Sequence, residues 1–160
     1  MKRIALSVLA LAIAAPTASA NTTAGQRALA LAALVGVRSP VLSGQDKHAV
    51  LSLFEGNLNV PFPAGRKIAV QADSIVCRAS NVDITSRSCT LTFGARTFTL
   101  KGRQAHELFA TLAEVGVPED GAAGSVFVGL SQLDCTIDPA EIKQKAGGGA
   151  NCTFNPGATK

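Results

Sequence analysis

SCTLTFGARTFTLK, residues 88–101, consists of two alternating runs around a Gly-Ala pair. Gly94 stands at the first of the two central positions, where a type II′ turn needs positive φ, so the segment predicts a β-hairpin. That turn sets the register: Phe93 opposes Arg96, Leu91 opposes Phe98 and Cys89 opposes Leu100. Opposed residues share a face. One face is then Cys89, Leu91, Phe93, Phe98 and Leu100, and the other is Thr90, Thr92, Thr97 and Thr99. A threonine face could meet a regular lattice such as ice. The strand preference and polarity of threonine account for it more simply, as a solvated sheet surface.

An apolar hairpin face must be covered, and the flanking segments offer helices. Downstream, Ala105, Leu108, Phe109, Leu112 and Ala113 repeat at helical spacing and predict a helix from Arg103 to Val115, stopped by Gly116 and Pro118. Upstream, residues 24 to 37 are rich in Ala and Leu, with Arg27 as the one charge before the end, and predict a helix on the core. Ser43 and Asp46 form a capping pattern for a second helix, Gln45 to Glu55, with Ala49, Val50, Leu53 and Phe54 inward and Gly56 ending it. Asn57 to Gly65 reads as an extended connector.

From Lys67 the period changes to two, with Ile68, Val70 and Ala72 on one face of a strand that runs on to Cys77. Arg78 to Arg87 is polar and turn-like. Pro118 to Gly124 reads as a short acidic loop. Residues 125–133 fit either a strand or a helix, while Thr136 and Ile137 favour a strand for the second half of the segment. Gly147 to Gly149 reads as a loose loop, and Asn151 to Phe154 as a last short strand. The expected fold is α+β: a small antiparallel sheet with helices packed on one face and two disulfides.

The chain opens with Lys2 and Arg3, then a 12-residue apolar run from Ile4 to Ala15, then Ala18-Ser19-Ala20. This is the order of a secretory signal, with cleavage expected after Ala20. The run is well short of the roughly 20 residues a spanning helix needs, so no stable membrane insertion is expected after cleavage. The rest reads as a single mature domain of residues 21–160: 21–65 helical with a connector, 66–155 the sheet-plus-helix core, and 156–160 a frayed tail. The expected location is periplasmic or secreted.

Cys77, Cys89, Cys135 and Cys152 make an even count in an exported chain, which reads as a disulfide framework. Three pairings are possible. Cys77–Cys89 and Cys135–Cys152 are preferred because each closes a short local loop, worth about 3 kcal/mol apiece. No C-x-x-C occurs, which disfavours a redox site of the thioredoxin kind, and the cysteine spacings do not suit zinc.

Charge is unevenly spread. Residues 66–103 carry seven basic and two acidic side chains, and residues 104–160 three basic and seven acidic. Such a split can mark a partner surface or simply two solvated faces. The basic residues lack interleaved aromatics or a reader motif, so no nucleic acid partner is expected.

No cofactor, metal or catalytic motif stands out. Gly129-Leu130-Ser131-Gln132-Leu133 lacks the second glycine of a nucleophile elbow. His48 and His106 are the only candidate bases. Asp134 and Asp138 would share one face of a strand, a conceivable weak cation site that matches no calcium loop. The residues therefore point to a non-enzymatic binding or interaction domain with an envelope protein as partner. Its contacts would be Arg78, Arg87 and Arg96 in the basic region, or Glu119 and Asp120 in the acidic loop. The alternative is a small periplasmic hydrolase using His106, or an inhibitor of one acting through residues 118–124.

Overall fold

The computed structural model describes residues 23–80, 83, 86–122, 124–145 and 147–157. The expected signal segment, residues 1–20, lies outside them, as do part of the 78–87 turn and the last three residues of the tail. Helix α1 is Ala24–Gly36, started by a capping box in which the Thr23 hydroxyl accepts the Gln26 N–H and the Gln26 side chain accepts the Thr23 N–H. Its Leu31, Ala32 and Val35 are fully buried. Helix α2 is Gly44–Phe54, capped by Ser43, whose hydroxyl accepts the Asp46 N–H at 3.1 Å.

Strands β1, Ile68–Ala72, and β2, Ser74–Ser80, replace the single expected strand, with a bend at Asp73 between them. Strands β3, Ser88–Phe93, and β4, Arg96–Lys101, form the hairpin in the expected register, with Gly94 at φ 56°. Cys89, Leu91, Phe93 and Leu100 are buried, while Thr97 and Thr99 are exposed. Helix α3, Gly102–Glu114, buries Ala105, Leu108, Phe109 and Leu112 as the spacing predicts.

The strand Ser125–Ile137, labelled β6, settles the 125–133 ambiguity as strand throughout. The expected acidic loop needs correction. Glu119–Ala122 is strand β5, and its register of Glu119 opposite Val128 through Ala122 opposite Ser125 makes it one arm of a hairpin with β6. A polar segment takes strand form here because β6 offers it an open edge to pair with. Helix α4, Pro139–Gln144, is an element the sequence patterns did not indicate. It starts at Asp138, whose carboxylate accepts the Ala140 and Glu141 N–H groups, with Pro139 in the first helical turn. Strand β7, Ala150–Pro156, closes the described chain.

β6 carries the sheet. β2 and β5 both pair with its first half and so take opposite edges, as β1 and β7 do along its second half. β1 and β2 hold one continuous register against β6, from Ile68 opposite Ile137 to Ser80 opposite Ser125, so they are one strand interrupted at Asp73. β2 pairs in turn with β3, and β3 with β4. Helices α1 and α3 pack on the apolar face of this antiparallel sheet, and α2 packs on α1.

Both disulfides join residues directly opposite one another in adjacent strands. Cys77–Cys89 links β2 to β3, and Cys135–Cys152 links β6 to β7. This is the preferred local pairing.

The glycine run is not a loose loop. Gly147 packs against the first turn of α1: a Cβ on Gly25 would sit 2.1 Å from the Gly147 carbonyl oxygen, and one on Gly147 2.3 Å from the Thr23 hydroxyl. Gly149, at φ 75°, is closed in by Ile142 and the Asp138 carbonyl. Small residues are required because two backbones meet there.

Gly25→Ala is therefore expected to cost about 1–3 kcal/mol, read as a fall of several degrees in thermal midpoint by circular dichroism. Gly44→Ala, with open space around its Cβ and no positive φ, should leave the midpoint unchanged or slightly raised. Ser39 is fully buried, and its hydroxyl has no hydrogen-bond partner among the described residues. Ser39→Ala should raise the denaturant midpoint, by about 1 kcal/mol in stability, with no change in slope.

Candidate binding site

A cavity lies where α2 ends. Gly56, at φ 83°, stops the helix, and Asn57 turns the chain by accepting the Asn59 N–H at 3.1 Å. Phe54 and Leu58, on either side of this turn, both line the cavity and are 46% and 44% exposed. Helical spacing predicts Phe54 inward with Ala49, Val50 and Leu53. It faces out: α2 packs chiefly on α1 and buries Ala49, Val50 and Leu53, while Phe54 in its last turn stays partly in solvent.

Helix α4 forms the opposite wall. Asp138 starts it, its Ile142 faces the core, and its Lys143 ammonium donates to the Val60 carbonyl at 2.9 Å, tying α4 to the connector. Leu29 and Gln26 of α1 lie between, and the backbone of Gly147 and Gly148 completes the lining. The result is a groove of about 380 Å³. Its body is Leu29, Leu53, Phe54, Leu58 and Ile142, and its polar groups are already engaged: Lys143 with Val60, and Gln26 with Thr23. An apolar concavity with few polar groups is the usual form of a small-molecule site.

The residues singled out in the sequence lie elsewhere and do not converge. Arg78 is exposed on the face away from the helices, in register with Phe127 and Ser88. Arg96 is exposed beside the hairpin turn. Arg87 is half-buried, with its guanidinium 4.2 Å from the centre of the Phe109 ring and its Nε sealed from solvent. It packs the sheet onto α3 and is not a free contact. Glu119 and Asp120 are exposed, but on a paired strand.

Other basic residues are also tied down. Arg66 binds Asp46 through both carboxylate oxygens at 2.8 and 2.9 Å and lies over Phe62. Lys67 meets Asp138 at 3.7 Å. Arg103 pairs with Glu107 at 2.9 Å, and this hydrogen bond raises its pKa further above an already high value. The basic stretch in the sequence is thus spread over several internal pairs.

His48 and His106 are both exposed, and neither hydrogen-bonds or ion-pairs with any of the described residues. Asp134 and Asp138 do not share a site. Asp134 accepts the Gln71 amide at 2.8 Å and the Gln132 amide at 2.7 Å, while Asp138 caps α4. Among the described residues no three His, Cys, Asp or Glu side chains gather as a metal would need, and no helix is long and apolar enough to cross a membrane.

Sequence reasoning missed Leu58, Ile142 and Lys143. The Asp-Pro-x-Glu order at 138–141 is a helix-start signal and could have revealed α4. No local pattern announces that Phe54 faces outward. No protein-family model matches this chain, and neither does any curated protein or solved structure.

Proposed function

We propose that this chain is an exported, non-enzymatic binding protein, and that the groove between α1, α2 and α4 takes a small apolar ligand. The observation that carries the reading is the pair Phe54 and Leu58, held exposed at the mouth of an apolar groove of about 380 Å³. Burying a fully exposed side chain of this kind is worth about 1.5–3 kcal/mol; with a little under half of each still exposed, a ligand recovers roughly half of that per side chain. The groove's volume falls in the range of small-molecule pockets, roughly 300–1,000 Å³.

Export is supported by the basic, apolar and small-residue order of residues 1–20 and by the two disulfides. The other readings have less behind them. An inhibitory loop needs a protruding segment, and residues 119–122 pair along β6. A hydrolase needs a nucleophile paired with its base, and the exposed His106 side chain makes no hydrogen bond among the described residues.

Intact-mass measurement of the protein recovered from the periplasm or medium should give a chain beginning at Asn21; a chain retaining residues 1–20 would overturn the export reading. For the groove, the apolar fluorophore N-phenyl-1-naphthylamine should bind saturably with an increase in emission. Phe54→Asp and Leu58→Asp should each weaken binding at least tenfold with little change in thermal midpoint, because both side chains are already solvent-exposed. Val41→Asp, at a site 79% exposed and away from the groove, should bind like the parent. No binding by the parent, or full binding by the two groove variants, would rule the site out.

A further inference from the structure

We infer that the Cys135–Cys152 disulfide is a redox latch on this groove, opened by a dithiol donor while Cys77–Cys89 stays closed. The inference rests on the groove reading and adds its regulation. The two disulfides differ in access. Cys77 and Cys89 are both completely buried. Cys135 is buried too, but Cys152 is half-buried. It lines a cleft of about 150 Å³ between α1, the end of α3 and β7, with Arg27, Val115 and Phe154 among its walls. Exchange requires a thiolate to reach a sulfur atom, and of the four cysteines Cys152 alone is not fully buried; its sulfur lies 3.4 Å from the carbonyl oxygen of Ala28, which lines the same cleft. Half-buried Arg27 offers a positive charge to an arriving thiolate. Glu114, also in the cleft, is exposed and screened by solvent.

The chemistry balances as a two-electron exchange. A thiolate of the donor attacks the Cys152 sulfur, the S–S bond breaks, and Cys135 leaves as a thiolate that takes up a proton. The donor's second thiolate then attacks the donor's first sulfur in the mixed disulfide and releases Cys152 as a thiolate, which takes up the proton that the second thiol gave up. The donor ends as a disulfide, and the protein holds two reduced cysteines.

The topology turns that reduction into a change at the groove. Cys135 and Cys152 are 17 residues apart, and the span they close contains α4 and the glycine run. Ile142, Lys143, Gly147 and Gly148, one whole side of the groove, lie on that span. β7 pairs only with β6 among the described strands. Once the cross-link is cut, the wall is kept by that ladder, by packing on α1, by the Lys143 hydrogen bond to Val60 and by the exposed Lys67–Asp138 pair. Losing a closure of this length favours opening by roughly a hundredfold. Cys77–Cys89 spans residues that do not line the groove.

The test treats the folded oxidised chain with dithiothreitol as the dithiol, quenches with an alkylating reagent and maps the labelled cysteines over time. Cys135 and Cys152 should be labelled at least tenfold faster than Cys77 and Cys89. Amide hydrogen exchange should rise across residues 139–157 while β2, β3 and β4 stay protected, and N-phenyl-1-naphthylamine should be released and rebind after reoxidation. Equal labelling of both pairs overturns the inference, as does a protected 139–157 segment in chains whose Cys135 and Cys152 are alkylated. If the oxidised chain never binds the fluorophore, the groove reading fails on its own. Labelling and exchange still decide whether the wall is latched.

Discussion

Strand β6 hydrogen-bonds to four other strands, β1 and β2 along one edge and β5 and β7 along the other. The rest of the molecule depends on those two ladders. A backbone donor or acceptor buried without a partner costs about as much as a lost hydrogen bond, so a strand at the centre of a sheet must be matched along its whole length. β6 also bends. Its core residues run Val128, Leu130, then Leu133, Cys135 and Ile137, a step of three where a flat strand takes two. The opposing strand makes the same step between Ala72 and Ile75, and the register is unbroken across it. The two strands turn together, with Asp73, Ser131 and Gln132 exposed at the break. Asp73 also accepts the Gly94 N–H with its carboxylate, and its own N–H donates to the Thr92 carbonyl at 2.9 Å, so the bend is tied to the hairpin.

The cross-links depend on these ladders. Each disulfide joins residues already opposite one another on the core side, so it reinforces a pairing and does not create one. The Cys135–Cys152 bridge does more than its twin because of what lies between its ends. It closes a loop that carries α4 and glycines 147–149, and that loop seats against the first turn of α1.

The groove is what remains once the sheet has been covered. Helices α1 and α3 take its apolar face, and α2 finds its partner in α1. The end of α2 overhangs, and Phe54 and Leu58 stay in solvent beside the wall formed by α4. The charged residues do not define a comparable site. Arg66, Lys67, Arg87 and Arg103 are occupied by Asp46, Asp138, Phe109 and Glu107.

What the sequence determined by itself was local. The Gly94 turn and its register, the Ser43 cap, the buried stripe of α3 and the pairing of each cysteine with its nearer neighbour come from interactions between residues close in the chain. There, turn chemistry, capping and helical spacing act directly. Tertiary structure alone decided that residues 125–133 are strand, that Glu119–Ala122 pairs instead of looping, that the glycine run is a close junction and that Phe54 faces out. Each of these depends on a partner distant in sequence: an open strand edge, a second backbone or the absence of a covering wall. A window of neighbouring residues records what a segment can form, and only the packed chain records what it meets.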